Sequence, residues 1–183
     1  KKKIVPFLKV DKGLEESSGG MQFMKPILDL DDILAKASSF EIFGTKMRSV
    51  IHDSDLPGIA EIVCQQFDVG RRILDSNLTP IIEPEIDIHC SDKTDAESIL
   101  KACLLDELGK LDSEEVILKL TLPENKDFYR ELISHPRVMR VVALSGGYPR
   151  DEANMRLRHQ KAMIASFSRA LTEGLSVNLS EEA

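Results

Sequence analysis

The sequence has few of the residues that build metal centres, disulfide frameworks or aromatic cores. It contains three cysteines, four histidines and no tryptophan, and only 5% of its residues are aromatic. The odd number of cysteines (Cys64, Cys90 and Cys103) argues against a disulfide framework, and their spacing matches no metal site. We therefore expect a reduced, cytoplasmic protein with an aliphatic core that uses no metal and no other cofactor.

Long apolar runs and an excess of positive charge are also missing. No apolar run approaches the roughly 20 residues of a membrane-spanning helix. The chain carries 24 Lys and Arg against 31 Asp and Glu, a net charge of −7, which argues against binding to nucleic acid or to an anionic membrane. Its 183 residues, 42% of them hydrophobic, are enough for a substantial core. The composition is typical of a soluble globular protein.

Six apolar, partly β-branched runs alternate with segments of helical periodicity. The predicted strands are residues 4–11, 42–48, 78–86, 115–122, 138–144 and 161–167. The predicted helices are residues 29–39, 56–77, 95–111, 125–134 and 149–160, and the Gly- and Ser-containing residues 13–26 are predicted to form a loop. This alternation predicts parallel βα units in a single domain over residues 1–183. Because no Gly-rich fingerprint follows the first strand, an α/β fold of the TIM-barrel type is favoured over a doubly wound sheet.

One predicted strand, residues 115–122, carries a lysine in the middle of an apolar run. Burying Lys119 as an ammonium would cost roughly several kcal/mol unless it is paired or loses its proton. Burial favours the neutral amine, which is a nucleophile toward carbonyl carbon. The alternative from this stretch alone is that the strand ends early and that Lys119 points into solvent.

Polar side chains collect at the same end of all six predicted strands. Residues two apart in a strand share a face. The resulting groups are Lys9 with Asp11, Lys46 with Arg48, Glu83 with Glu85, the late Lys119, Ser145-Gly146-Gly147 and Ser168-Arg169. In a βα barrel the active site is built at the C-terminal ends of the strands, so we expect these groups to lie close together.

The residue types at these strand ends suit covalent chemistry on a ketone. Lys119 could form a Schiff base, and a neighbouring Lys46 would disfavour its ammonium form by like-charge repulsion. Glu83 could transfer protons to and from the carbinolamine and the cleaved hydroxyl, and Glu85 would balance the positive charge.

The remaining groups suit phosphate. Ser145-Gly146-Gly147 offers backbone N–H groups, and Arg169 offers a bidentate fork. Lys9 and Arg48 could hold a second phosphate. A cationic site in an acidic protein indicates a bisphosphorylated anionic substrate.

Several motifs, in this order, resemble those of class I fructose-bisphosphate aldolases, and of the bacterial branch in particular. They are Phe7–Gly13 (FLKVDKG), Gly44–Arg48 (GTKMR), Pro80–Glu85 (PIIEPE), Leu118-Lys119, Leu144–Gly147 (LSGG) and Ser166–Leu171 (SFSRAL). The resemblance covers essentially the whole chain. It implies an eight-stranded barrel and the reversible cleavage of fructose 1,6-bisphosphate to dihydroxyacetone phosphate and glyceraldehyde 3-phosphate.

The resemblance also implies roles for individual residues. Lys119 corresponds to the Schiff-base lysine, Glu83 to the general acid/base, and Lys46 to the lysine that assists carbon–carbon cleavage. The phosphate of dihydroxyacetone phosphate would lie at Ser145, Gly146 and Arg169, and the opposite phosphate at Lys9 and Arg48. The expected partner is therefore a small sugar phosphate, and the chain could form a homo-oligomer.

The chain also departs from the family pattern. The family's first two strands, with an active-site aspartate at the end of the first, have no counterpart here. We therefore expect strands three to eight of a barrel, with residues 4–11 and 161–167 at two open edges. Phe167-Ser168 stands where animal members have Tyr-Gly, and no C-terminal tyrosine tail is present.

Two other functions are compatible with the same residues. One is another Schiff-base lyase on this fold, such as a transaldolase or a keto-acid aldolase, although a monophosphate substrate would leave Lys9 and Arg48 without a role. The other is a non-catalytic scaffold with an aldolase-like surface, which would not require Lys46, Glu83 and Lys119 together. The scarcity of histidine disfavours a metal-dependent aldolase.

Overall fold

The computed structural model describes residues 4–174 and residue 176. In chain order the strands are β1 (Phe7–Lys9), β2 (Met21–Gln22), β3 (Gly44–Lys46), β4 (Ser49–Ile51), β5 (Thr79–Ile82), β6 (Pro84–Ile86), β7 (Val116–Thr121), β8 (Val138–Leu144) and β9 (Ile164–Ala165). The helices are α1 (Leu30–Ser39), α2 (Leu56–Asp75), α3 (Lys93–Leu108), α4 (Arg130–Ile133), α5 (Arg150–Arg158) and α6 (Arg169–Thr172).

A six-stranded parallel sheet forms the centre of the fold. Its strands lie in the order β1-β3-β5-β7-β8-β9, so that strands follow one another in space as they do along the chain. Helices α1 to α5 lie in the connections between these strands. The structure therefore confirms the predicted α/β class. Strands β1 and β9 are the two edges, and they are not paired with each other in the described part of the chain.

A second, smaller sheet extends two of the predicted strands. Strands β4 and β6 continue the lines of β3 and β5 and pair in parallel, with Ser49 opposite Pro84. Strand β2 pairs antiparallel with β4, and isolated bridges link Leu14 to Met24 and Ser18 to Met21. The prediction of a plain loop over residues 13–26 was therefore wrong. The segment has little strand periodicity of its own. It is ordered by pairing with β4, which lies beyond α1 in the sequence.

Two predicted elements are shorter than expected, each for a visible backbone reason. The predicted helix over residues 125–134 is helical only from Arg130 to Ile133, because Asp127 adopts the left-handed region at φ 53°. The predicted strand over residues 161–167 is reduced to Ile164–Ala165, and Ala162 has φ 63°, which interrupts extended backbone.

The core is aliphatic, as the composition predicts. Helix α2 buries Ile59, Ile62, Val63, Phe67 and Ile73 against the sheet, each at most 1% exposed. Strand β7 contributes Leu118 and Leu120 to the same cluster. Among the residues that the structure describes, no helix combines the length and apolar character needed to cross a membrane.

Helix α2 begins at a side-chain cap, and this cap gives a first prediction. Asp55 Oδ2 accepts a hydrogen bond from the Gly58 backbone N–H at 2.8 Å, and Pro57 occupies the first turn. We expect Asp55→Ala to lower the free energy of unfolding by about 1 kcal/mol, measured by urea denaturation. Asp55→Asn, which keeps an acceptor oxygen, should restore most of the loss. Equal stability of Asp55→Ala and the parent protein would contradict the capping role.

Candidate active site at the strand ends

A polar cavity of about 170 Å³ opens at the C-terminal ends of the central strands. It is lined by Lys46, Arg48, Glu83, Glu85, Lys119, Leu144, Ser145, Gly146, Ser166 and Ser168. The structure thus brings together residues from five consecutive strand ends, including most of those singled out in the sequence. Ser168 belongs to the Ser168-Arg169 group that was expected at this edge, whereas Ser166 was not predicted to line a site. Its two-residue spacing from Ser168 at the end of a predicted strand is the signal that could have identified it.

Lys119 reaches the cavity because of strand alternation. Leu118 and Leu120 are fully buried in the hydrophobic core. Lys119 shares the opposite face with Ile117 and Thr121, and its side chain is 17% exposed. The solvent-exposed alternative considered for this residue is therefore excluded: the lysine is largely buried and paired.

Glu83 lies between two lysines. Its Oε1 atom is 3.0 Å from Lys119 Nζ, and its Oε2 atom is 3.2 Å from Lys46 Nζ. The contact with Lys46 is an ion pair that is out of line for a hydrogen bond, and within the described residues Oε2 has no hydrogen-bond partner. A buried carboxylate oxygen with spare accepting capacity is suited to take a proton from a bound hydroxyl.

A second ion pair lines the same cavity. Arg48 Nε donates to Glu85 Oε2 at 2.5 Å, and the Glu85 side chain is 9% exposed. Glu85 therefore neutralises one of the cavity's cations, as its sequence position suggested. The Arg48 side chain is 39% exposed, so its guanidinium remains accessible.

The turn at Ser145 and Gly146 forms another wall of the cavity. Ser145 is buried, and its backbone carbonyl accepts a hydrogen bond from Tyr148 N at 2.9 Å. Gly146 has φ 63°, and a Cβ atom there would lie 2.8 Å from the Ile88 side chain. A glycine is therefore required at this position on both conformational and steric grounds.

Four predicted site residues lie elsewhere or are only partly described. Lys9 Nζ donates to Asp11 Oδ1 at 2.7 Å, and neither residue lines the cavity. Gly147 lies beside it, one residue beyond the lining turn. The backbone of Arg169 begins α6, but its side chain lies outside the described residues. The phosphate-binding roles of Lys9, Gly147 and Arg169 stay predictions.

A buried polar network, missed in the sequence, supports this end of the fold. Lys93 is 5% exposed and donates to Glu97, which is fully buried, and to the Leu122 carbonyl at 2.9 Å. Burial raises the pKa of Glu97, although the Lys93 ammonium opposes this shift. The four-residue spacing on a helix is the signal that could have revealed the pair.

The network continues to the turn that lines the cavity. Lys93 Nζ is 3.1 Å from Glu124 Oε1, which also accepts from the Tyr148 hydroxyl at 3.2 Å. Arg156 donates to Glu124 Oε2 at 3.0 Å and lies 4.2 Å from the Tyr148 ring centroid. Burial, together with Glu124, raises the pKa of Tyr148 to about 12, so its phenol remains a donor at neutral pH. The turn after β8 is thereby tied to the segment after β7.

No metal-ligand arrangement was found in the described part of the chain, where no group of three or more His, Cys, Asp or Glu side chains is placed to hold an ion. The three cysteines are free thiols, with Cys90 buried and Cys64 exposed. The groups that line the cavity are amines, a guanidinium, carboxylates, hydroxyls and backbone amides.

The fold and the site together define a class of protein. It is a parallel βα protein with two lysine amines around one glutamate at the C-terminal edge of its sheet. Comparison with known proteins shows which proteins the chain resembles. No protein-family model matches the chain. Curated relatives, however, match it along almost its whole length.

Three bacterial proteins named fructose-bisphosphate aldolase class 1 are similar to this chain. The Porphyromonas gingivalis protein is 54% identical over 97% of this chain and 60% of its own length. The Synechocystis and Clostridium acetobutylicum proteins are 55% and 50% identical, over 96% and 99% of this chain and 59% and 62% of their own lengths. The chain thus spans about three fifths of these relatives. Its resemblance to bacterial class I fructose-bisphosphate aldolases is confirmed.

A solved structure supports the fold independently. Fructose-bisphosphate aldolase from Plasmodium falciparum superposes with a TM-score of 0.65 over 92% of this chain and 59% of its own length. The two sequences are 21% identical over this match, so the comparison bears on the fold alone. It supports the α/β fold of the six-stranded sheet.

Proposed function

We propose that this chain carries the amine-centred part of a class I fructose-bisphosphate aldolase site, which cleaves fructose 1,6-bisphosphate reversibly to dihydroxyacetone phosphate and glyceraldehyde 3-phosphate. The observation that carries the proposal is the contact of one buried carboxylate, Glu83, with both Lys119 and Lys46 inside the polar cavity. The names of the bacterial relatives support the choice of substrate.

In the proposed reaction Lys119 supplies the covalent step. Its neutral amine attacks the C2 ketone of the open-chain sugar, and loss of water from the carbinolamine gives an iminium ion. Glu83 delivers the proton that leaves with that water. When the C3–C4 bond breaks, its electron pair moves toward the iminium nitrogen to give an enamine. The C4 hydroxyl loses its proton, and glyceraldehyde 3-phosphate departs.

The second product is released by the same groups, which now transfer protons in the opposite direction. Protonation of the enamine carbon restores the iminium, and addition of water followed by expulsion of the amine releases dihydroxyacetone phosphate. Glu83 accepts and returns these protons, since its Oε2 atom has spare accepting capacity within the described residues. Lys46 stabilises the negative charge that develops on the C4 oxygen during cleavage.

The phosphates are proposed to bind at the two sides of the cavity. Backbone N–H groups of the Ser145–Gly147 turn and the Arg169 fork would hold the phosphate of the dihydroxyacetone half. Arg48, oriented by Glu85, would contact the opposite phosphate, with Lys9 as a second cation.

The wider setting is also a proposal. The open sheet edges at β1 and β9 and the partial coverage of the relatives support the placement of these six strands as strands three to eight of a barrel over residues 1–183. Free cysteines are compatible with a reduced, cytoplasmic environment. A homo-oligomer is compatible with the same fold.

Borohydride trapping tests the proposal directly. The protein expressed from its complete gene is incubated with dihydroxyacetone phosphate, reduced with borohydride, digested and mapped by mass spectrometry. We expect one stable adduct, on the peptide that contains Lys119, because borohydride reduces an imine to a secondary amine. Inorganic phosphate serves as the control ligand and should give no adduct. An adduct confined to another lysine would refute the assignment of Lys119.

A further inference from the structure

Gln66 is a polar residue in the middle of the most apolar face of α2. It is fully buried and lies between Val63 and Phe67, each 1% exposed. An amide buried without hydrogen bonds is strongly unfavourable, so the partners of Gln66 define what its burial achieves.

Both ends of the Gln66 amide are bonded to the strands beneath the helix. Its Oε1 atom accepts from the Glu83 backbone N–H at 2.8 Å, and its Nε2 atom donates to Ser49 Oγ at 3.0 Å. Ser49 is also fully buried, and its backbone N–H donates to the Glu83 carbonyl at 3.1 Å. The Gln66 side chain therefore holds the backbone N–H of Glu83, and the Ser49 backbone N–H holds its carbonyl.

These contacts occur where the sheet is interrupted. Glu83 stands between β5 and β6, and the next residue, Pro84, has no N–H to donate. The register across the interruption is unchanged, since Lys46 faces Ile81 and Ser49 faces Pro84. Gln66 thus takes the place that a neighbouring strand carbonyl would otherwise fill for the Glu83 N–H.

We propose that Gln66 is a positioning residue for the acid/base chemistry of Glu83, holding its backbone so that its carboxylate stays between Lys119 and Lys46. The inference rests on the proposed function, because it requires Glu83 to transfer protons. The carboxylate distances of 3.0 and 3.2 Å follow from where the Glu83 main chain is held. A displacement of about 1 Å in such a group can reduce turnover by up to a hundredfold.

The test compares Gln66→Met with Gln65→Met in the protein expressed from its complete gene. Gln65 offers a matched control: it lies on the same helix and makes two hydrogen bonds of 3.0 Å, to the Met24 backbone N–H and carbonyl. Neither Gln65 nor Met24 lines the cavity. Methionine keeps the length of the side chain and removes both polar atoms in each case.

We expect Gln66→Met to lower kcat for cleavage about tenfold to a hundredfold with KM nearly unchanged, because proton transfer rather than substrate binding is disturbed. Gln65→Met should leave kcat within about twofold of the parent value. Gln66→Glu should recover most of the lost kcat, since a carboxyl oxygen can still accept from the Glu83 N–H.

Three results would overturn the inference: an unchanged kcat in Gln66→Met, an equal loss in Gln65→Met, or no recovery in Gln66→Glu while that variant unfolds at the parent temperature. If Gln66→Met does not fold, kcat is compared between Gln66→Glu and Gln65→Met. A folded Gln66→Glu variant whose kcat is at least about tenfold below that of Gln65→Met then overturns the inference. Borohydride trapping on the parent protein separates the two hypotheses. Trapping at Lys119 with an unaffected Gln66→Met refutes the positioning role alone, whereas a parent protein that neither traps nor cleaves refutes both.

Discussion

Lys119→Ala is expected to lower the cleavage of fructose 1,6-bisphosphate by at least about ten thousandfold, because the proposed covalent route requires this amine. The fold should survive the change. Glu83 keeps Lys46 at 3.2 Å as a partner for its buried carboxylate, so no charge is left isolated. The measurement is kcat by a coupled assay, with the unfolding temperature measured in parallel.

Lys119→Arg separates charge from nucleophilicity. A guanidinium retains the positive charge beside Glu83 but keeps its proton, and it cannot form an imine. We expect this variant to be as inactive as Lys119→Ala and to give no borohydride adduct. Cleavage above the uncatalysed background in either variant would contradict a Schiff base at Lys119.

Lys93→Met is expected to cause the largest loss of stability among the changes considered. It leaves Glu97 fully buried without the cation to which it is bonded, and breaking a buried ion pair on one side costs about 3–5 kcal/mol. Urea denaturation at neutral pH measures this loss. Lys101→Met is the control, because the half-buried Lys101 lies on the same helix, 3.7 Å from the exposed Glu131, where an ion pair contributes at most about 1 kcal/mol.

The same variant should show a characteristic pH dependence. Burial raises the pKa of Glu97 above its ordinary value of 4.5. The folded protein therefore binds this proton more tightly than the unfolded chain, and stability falls as pH rises through the interval between the two pKa values. Without Lys93 the folded-state pKa rises further, so the difference in stability between variant and parent should shrink on acidification from neutral pH. A difference that is constant with pH would contradict this account.

The parts of the fold that local pattern determines could be predicted from the sequence. The six strand runs and the apolar face of α2 are periodic over many residues, and the structure has strands and a helix there. The pairing of β2 with β4 could not be predicted, because a two-residue strand in a polar segment has almost no periodicity and its partner is distant in sequence. Left-handed backbone at Asp127 and Ala162 likewise left no signal in composition.

The candidate site divides in the same way. Lys46, Glu83 and Lys119 were predicted to lie close together, because residues two apart on a strand share a face and because a βα barrel gathers its active site at the C-terminal ends of its strands. The structure brings the three side chains into contact. Gln66 was overlooked because a single polar residue on a helix carries no mark of being buried, whereas Lys93 was overlooked despite its four-residue spacing from Glu97. Only the three-dimensional fold brings Gln66 to Glu83 and Ser49, and Lys93 to Leu122 and Glu124.

The single carboxylate shared by two amines has a consequence for how protons travel. Glu83 touches both Lys119 and Lys46, and its side chain is only 4% exposed. A proton surrendered by one amine can pass through the carboxylate to the other without entering bulk water. The three groups then form a closed relay whose total number of protons need not change between the start and the end of a turnover. Such a relay would carry protons between the two amines and the bound substrate in each step of the proposed reaction.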